Sequence, residues 1–345
     1  MLYVTTRINH DAFTAFRSLS DNRGPEGGFF VPVRMPYLDV KQVSCLAEKS
    51  FSQNVAEILN MFFGTRMDGR NLELGIGRYP VRMLPLNGKV IIANTWHNPV
   101  YRFERLVSGV EKVIQQSDAI SQTPSDWLMI AARIAVLFGV YGLLLQNGTI
   151  KKQQPVDIAL PSGNLSPLMA AWYAKSMGLP VGTIVCSCNE NNSLWNLFHK
   201  GEFRTDTVAV RTHTPDCDFT MPNNLERLIF AALGYEETYR FCEISRSGGL
   251  YCLNEEKLLK LCNGIHVSVV GEKRVASTIP NLYKTNGLIT DPYTALAYSG
   301  LLDYRAATGA SQHALIVSEE SPLFSLRFIA ECMNITPSEL KSMIN

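Results

Sequence analysis

Val156-Asp-Ile-Ala-Leu-Pro-Ser-Gly-Asn-Leu-Ser-Pro-Leu-Met-Ala-Ala-Trp-Tyr-Ala-Lys-Ser-Met-Gly-Leu-Pro180, followed by Val181-Gly-Thr-Ile-Val-Cys186, decides the fold. Val156 to Leu160 is an apolar run of strand length, and Pro161 to Asn164 is turn chemistry. Ser166 suits a helix N-cap and Pro167 the first helical position, while Leu168 to Met177 carries apolar residues at helical spacing. Gly178 stops that helix and Pro180 follows it. Val181 to Cys186 reads as the next strand. Strand, Gly-bearing loop, helix and strand make a βαβ unit, and the backbone N–H groups at such a helix start suit an anion.

The same alternation continues on both sides. A helix is expected around Gln53 to Phe63, with Val55, Ile58, Leu59 and Phe62 on one face. The apolar stretch Trp127 to Leu145 reads as a helix buried in the core. It starts near Ser125 with Asp126 in its first turn, and Arg133 leaves too short a clean run to span a bilayer. Val267 to Val270 is a strand, Pro292 to Tyr304 a helix, and Ala314 to Ser318 a strand. Alternating elements predict an α/β fold of three layers, a mostly parallel sheet covered on both faces. The chain divides into an N-terminal part, 1–105, and a main α/β part, 106–345, packed as one body.

Composition fits a globular chain with a sizeable core: 345 residues, 46% hydrophobic and 18% charged. A net charge of +1 gives no electrostatic footprint for nucleic acid or an acidic membrane surface, and neither is expected as a partner. Lys151-Lys152 reads as a solvated loop. The eight cysteines, Cys45, Cys186, Cys188, Cys217, Cys242, Cys252, Cys262 and Cys332, lack the spacing of a disulfide framework. With no signal peptide at the Met1 end, they read as free thiols in a cytoplasmic protein.

A set of further blocks, in order along the chain, carries a family resemblance. They are Tyr3-Val-Thr-Thr-Arg7, Gly27-Gly-Phe-Phe-Val-Pro32 with Met35-Pro36, the Pro161-Ser-Gly-Asn164 loop and Ala170 to Pro180. Cys188-Asn-Glu-Asn191, Phe198-His-Lys-Gly-Glu-Phe203, Cys217-Asp218, Pro222-Asn-Asn-Leu-Glu-Arg227 and Gly287-Leu-Ile-Thr-Asp-Pro-Tyr-Thr-Ala-Leu296 complete the set. The chain resembles threonine synthase, a pyridoxal-phosphate (PLP) lyase of the tryptophan-synthase-β fold type that makes threonine from O-phosphohomoserine. The resemblance implies the large domain of that fold, with Ser162, Gly163, Asn164 and Ser166 as a residual phosphate loop. Arg133-Ile134 is similar to the pair that opens a buried helix in the family.

The departures from the family pattern are specific. Trp96-His-Asn-Pro-Val-Tyr-Arg-Phe-Glu-Arg105 aligns with the family's Schiff-base segment and puts Glu104 at the lysine position. A carboxylate cannot attack a carbonyl as an amine does, and Arg102 and Arg105 stay protonated. Leu165-Ser166-Pro167 replaces Phe-Gly-Asn in the phosphate loop. Ser318-Glu-Glu-Ser-Pro322 puts Glu319 where the family has a neutral hydroxyl facing the pyridine nitrogen. The Ser-Gly-Asp-Thr-Gly loop has no counterpart, so the small subdomain that covers the cofactor is expected to be largely missing, with no separate sheet between Glu104 and Asp126.

Each remaining constellation has a plain reading. Cys186 and Cys188 alternate on one strand face and read as packed thiols, and no metal site is expected. His97, His199, His213 and His266 are isolated; His97 lies in the altered Schiff-base segment. Glu104, Glu319 and Glu320 meet only through the family alignment. Gly75-Ile-Gly77 reads as a turn. Three functions stand: a binding or regulatory module for a small anionic metabolite with no cofactor, an active threonine synthase, or a PLP-independent enzyme using Glu104, His97 or Glu319. The sequence names no oligomeric state.

Overall fold

The computed structural model describes residues 1–8, 10–70, 72, 81–96, 107, 110, 111 and 125–344. A small antiparallel sheet sets β1 (Leu2–Thr5) between β2 (Phe13–Thr14) and β3 (Phe30–Pro32). The main sheet has six strands: β4 (Arg82–Leu86), β5 (Val90–Asn94), β6 (Val156–Pro161), β7 (Val181–Cys188), β10 (Ile265–Val269) and β11 (Ala314–Ser318). A separate antiparallel pair, β8 (Glu202–Arg204) and β9 (Leu250–Cys252), lies between β7 and β10 in the chain. The order in the main sheet is β10-β7-β6-β11-β5-β4, parallel except for the edge pair β4–β5. This is the mostly parallel α/β sheet read from the alternation. It draws β4 and β5 from before residue 105 and the other strands from after it.

The two-residue period of each strand sorts side chains into two cores. Ile91, Ile158, Ile184, Cys186, Cys188 and Leu315 face one core, which holds the helices Phe51–Phe63, Asp126–Gln146 and Ser166–Ser176. Val90, Ile92, Ala159, Val185, Ala314 and Ile316 face the other, closed by Ala297, Leu301 and Tyr304 of the helix Pro292–Thr308. Both faces are therefore covered, as a parallel sheet requires.

The helix Asp126–Gln146 starts as expected: Ser125 is its N-cap and accepts from the Leu128 N–H, and Asp126 sits in the first turn. By length and composition it could cross a membrane, yet 78% of its most apolar window is buried inside the protein. Its partner Phe51–Phe63 starts two residues before the expected Gln53, because Ser50 and Gln53 form a reciprocal capping box. The two helices approach at Gly139, where a Cβ would stand 2.7 Å from the Phe51 ring. Trp127 is fully buried against Tyr3, Phe62 and Tyr173, and its indole N–H donates to the Tyr3 hydroxyl at 3.0 Å. Lys151 and Lys152 are exposed, and all eight cysteines are free.

Candidate functional site

A cleft of about 330 Å³ opens at the carboxyl ends of β6 and β11. Parallel α/β sheets place ligands there, because the loops and helix starts converge beyond the strand ends. One wall is the helix Asp126–Gln146, through Met129, Arg133 and Val136. The loop after β6 and the segment Asp216–Phe219 form a second side; Asp291, Tyr293 and Thr294 with Glu319 and Glu320 complete it.

The loop after β6 is held at every turn. The Ser162 N–H donates to the Ser187 carbonyl at 2.8 Å, and the Gly163 N–H to Cys217 Sγ at 3.3 Å. Gly163 has φ +49, and a Cβ there would meet nothing nearer than the Asp216 carbonyl at 3.7 Å. Leu165 adopts the left-handed conformation, φ 65, and is itself the N-cap of the helix Ser166–Ser176. The expected cap at Ser166 is thus displaced by one residue, with Pro167 in the first turn. The cause is local: Asn164 Oδ1 accepts the Ser166 N–H at 3.0 Å, so the asparagine does the capping work. Ser166 instead points its hydroxyl at Arg133, whose Nη1 donates to it at 2.9 Å. Among the described residues no acceptor meets the N–H of Asn164 or of Leu168.

Arg133 is the residue that sequence reading placed in a helix and did not assign to a site. It forks onto Glu319, Nε to Oε1 at 2.9 Å and Nη2 to Oε2 at 2.7 Å. The available signal was a single charge inside an apolar helix, which must find a partner where the helix is buried. Asp291 was also missed. It caps Pro292–Thr308, taking the Thr294 N–H at 2.9 Å, and it accepts from Ser318 Oγ at 3.0 Å, which in turn accepts from the Trp96 indole. Burial raises its pKa above the ordinary carboxylate value, against the hydrogen bonds from Thr294 and Ser318. Burial also pushes the Cys217 thiol up to about 12 and raises the Tyr293 phenol. Neither is poised as a nucleophile or base near neutrality.

Of the residues expected at the site, Gly163, Asn164, Ser166, Glu319 and Glu320 line the cleft, and buried Ser162 supports the loop from beneath. His97, Glu104 and Gly75-Ile-Gly77 lie outside the described residues, as does most of the stretch expected to lack a separate sheet. His199 is exposed and stacks on Trp195; His213 stacks on Phe328 and pairs with Glu272. Cys186 and Cys188 are buried in one core, and no cluster suited to a metal occurs among the described residues.

The blocks that carried the resemblance meet in space. Asp218 accepts from Asn189 at 2.8 Å and from Asn191 at 3.1 Å, joining the segment after β7 to Cys217-Asp218. The Asn224 N–H donates to the Asn164 carbonyl at 3.2 Å, and Arg7 forks onto Glu226 at 3.0 and 2.9 Å. Fully buried Arg227 reaches Asp126 at the cleft wall.

No family model matches the chain. It is similar to Threonine synthase-like 1 of Homo sapiens, 27% identical over 175 residues, which cover 50% of this chain and 24% of that protein. It is similar to threonine synthase of Methylobacillus glycogenes, 29% identical over 192 residues, covering 53% of this chain and 39% of that one. Among solved structures, PLP-bound threonine synthase from Brucella melitensis has a TM-score of 0.84 at 15% identity, over 100% of this chain and 94% of that one. Threonine synthase from yeast has a TM-score of 0.82 at 17% identity, over 99% of this chain and 93% of that one. In sequence over about half its length, and in fold throughout, the chain is similar to the threonine synthases. As a threonine-synthase-like chain it matches the curated relatives over far less than two thirds of their length, while sharing the fold from end to end. One expectation is corrected. The sequence reading expected no cofactor in this chain, although the family it resembles uses PLP; the Brucella melitensis threonine synthase that shares this fold is PLP-bound.

Proposed function

We propose that this cleft binds a small phosphate-bearing ligand, PLP first among them, without a covalent link to lysine, and that the chain does not form threonine. The observation that carries the reading is Arg133 beside Ser166 at the helix start, 2.9 Å apart, next to the open backbone of Gly163. A guanidinium, a hydroxyl and the Asn164 N–H lie at one end of the cleft. That donor set fits a phosphate. Bound there, PLP would supply an electron sink for carbanion chemistry, and Arg133, Ser166 and the Asn164 N–H would hold its phosphate.

Two features separate binding from turnover. Glu104 stands at the position of the family lysine, and no lysine occurs between Lys89 and Lys112. The phosphate loop has also spent donors that a ligand would use: Gly163 N–H on Cys217, Ser166 N–H on Asn164, and none at Pro167. Each charge-assisted hydrogen bond forgone costs roughly 1.5–3 kcal/mol, which puts phosphate affinity at about the millimolar level.

The test has three readouts on the full chain. Titration with PLP, followed by absorbance, should show saturable binding. Borohydride treatment and peptide mass spectrometry should then find no stoichiometric lysine adduct. Incubation with O-phosphohomoserine and PLP should release no phosphate above the protein-free rate. Threonine production, or one adduct abolished by mutating a single lysine, would establish the active enzyme instead.

A further inference from the structure

A second cavity, of about 210 Å³, lies away from the cleft between the N-terminal segment and the helix Tyr235–Ser247. Three guanidinium groups line it, those of Arg7, Arg23 and Arg246, against the single carboxylate of Glu226. Arg7 is committed: its fork onto Glu226 leaves that pair neutral. Arg23 has no carboxylate within ion-pair distance among the described residues. Its Nη1 donates to the Gly27 carbonyl at 2.8 Å, and its guanidinium lies 4.0 Å from the Phe29 ring centroid. The buried Arg227 approaches the same ring at 4.6 Å. Burial first, and the nearby Arg7 and Arg227 charges after it, hold the Arg23 pKa below its ordinary value, yet a guanidinium stays charged. Arg246 pairs with Glu243 outside the cavity; both side chains are largely exposed, and such a pair is readily exchanged. Ser245 turns a buried hydroxyl that has no hydrogen-bond partner among the described residues, and Ser245 lines the same cavity.

We infer that this cavity is a second ligand site, for a small oxyanion carried by a metabolite, either a carboxylate or a phosphate, held by Arg23, Arg246 and Ser245. Of the three guanidinium groups, that of Arg23 alone has no carboxylate within ion-pair distance among the described residues, the Phe29 ring fixes the plane of its fork, and the orphaned hydroxyl supplies one further donor. A planar fork with a hydroxyl beside it matches both oxyanions. The site is independent of the cleft, because none of its residues lines the cleft.

Calorimetric titration of the full chain with inorganic phosphate and, separately, with succinate tests the inference. The Gly163→Asp background silences the first cleft. At least one anion should bind there with a stoichiometry near one, and the tighter of the two identifies the ligand as phosphate or carboxylate. Arg23→Gln with Arg246→Gln should weaken that binding at least tenfold, and Arg23→Lys, which keeps the charge and loses the fork, should weaken it less. Both variants change exposed side chains, and circular dichroism confirms the fold. Absence of binding by either anion, or equal binding in the doubly substituted variant, would overturn the site.

Discussion

Arg133 meets Glu319 fork to fork, Nε to Oε1 at 2.9 Å and Nη2 to Oε2 at 2.7 Å, while its third nitrogen donates to Ser166. One side chain thus ties the core helix Asp126–Gln146 to the end of β11 and to the start of the helix Ser166–Ser176. The arginine and glutamate side chains are only 14% and 25% exposed, so solvent compensates little for a lost partner. Glu319→Gln keeps the shape and removes the charge. Stability in urea denaturation should fall by about 1–3 kcal/mol. Phosphate should bind the variant more tightly, because the guanidinium loses its competing anion. Unchanged stability together with an unchanged phosphate response would disconnect this pair from the site.

Gly163→Asp tests the loop itself. At φ +49 any side chain is disfavoured, although aspartate tolerates this region better than most residues. The added carboxylate stands beside the Gly163 backbone at the opening where a phosphate would lie. Phosphate should raise the melting temperature of the wild-type chain modestly through this cleft, and that part of the rise should disappear in the variant. Calorimetric scans in phosphate and in chloride at equal ionic strength make the comparison. An equal rise in both proteins would reduce the loop to a strand-to-helix turn.

The fold was legible because its signals are local. Val156 to Cys186 contains a strand, a turn, a helix and a strand in sequence, and Ala314–Ser318 matched the expected strand at both ends. The boundary at Gln53 failed by two residues because a reciprocal cap at Ser50 extends the helix backwards. The cap at Ser166 failed because residue type favours serine there, while Asn164 takes the Ser166 N–H and the left-handed Leu165 starts the helix one residue earlier. The Arg133–Glu319 pair spans 186 positions. No periodicity reports such a contact; only the isolated charge in an apolar helix announced that a partner existed. Asp291 and Ser318 were hidden for the same reason, a bond over 27 positions between two polar residues that each look ordinary.

The helix Pro292–Thr308 covers one face of the sheet at a distance set by Gly300. A Cβ there would stand 2.0 Å from Ser187 Oγ and 3.0 Å from Ser187 Cβ. Ser187 is fully buried, so it has little room to yield. Gly300→Ala should therefore destabilise the chain by about 1–3 kcal/mol through overpacking, against the helix propensity that alanine adds. Ser187→Gly should recover part of the loss in the double variant. Additive effects in equilibrium denaturation would show that the two positions do not share this contact.

His266 gives the chain an acid-sensitive element. It is half-buried on β10, its ring centroid 5.0 Å from that of Tyr304 and 6.5 Å from that of His199. Burial first, and His199 second, lower its pKa from the ordinary 6.5. The unfolded chain then takes up a proton more readily than the folded one. The contribution of His266 is complete above about pH 6.5 and is lost as the pH falls through the folded value. His313 is shifted the same way, by burial and then by Lys89 and Arg305, so it adds to the slope. Urea midpoints measured from pH 8 down to about pH 5, above the range where most carboxylates titrate, should fall in the wild-type chain. The slope should be shallower in His266→Gln and shallower again with His313→Gln added. Parallel profiles for all three proteins would mean that neither imidazole is held neutral by the fold.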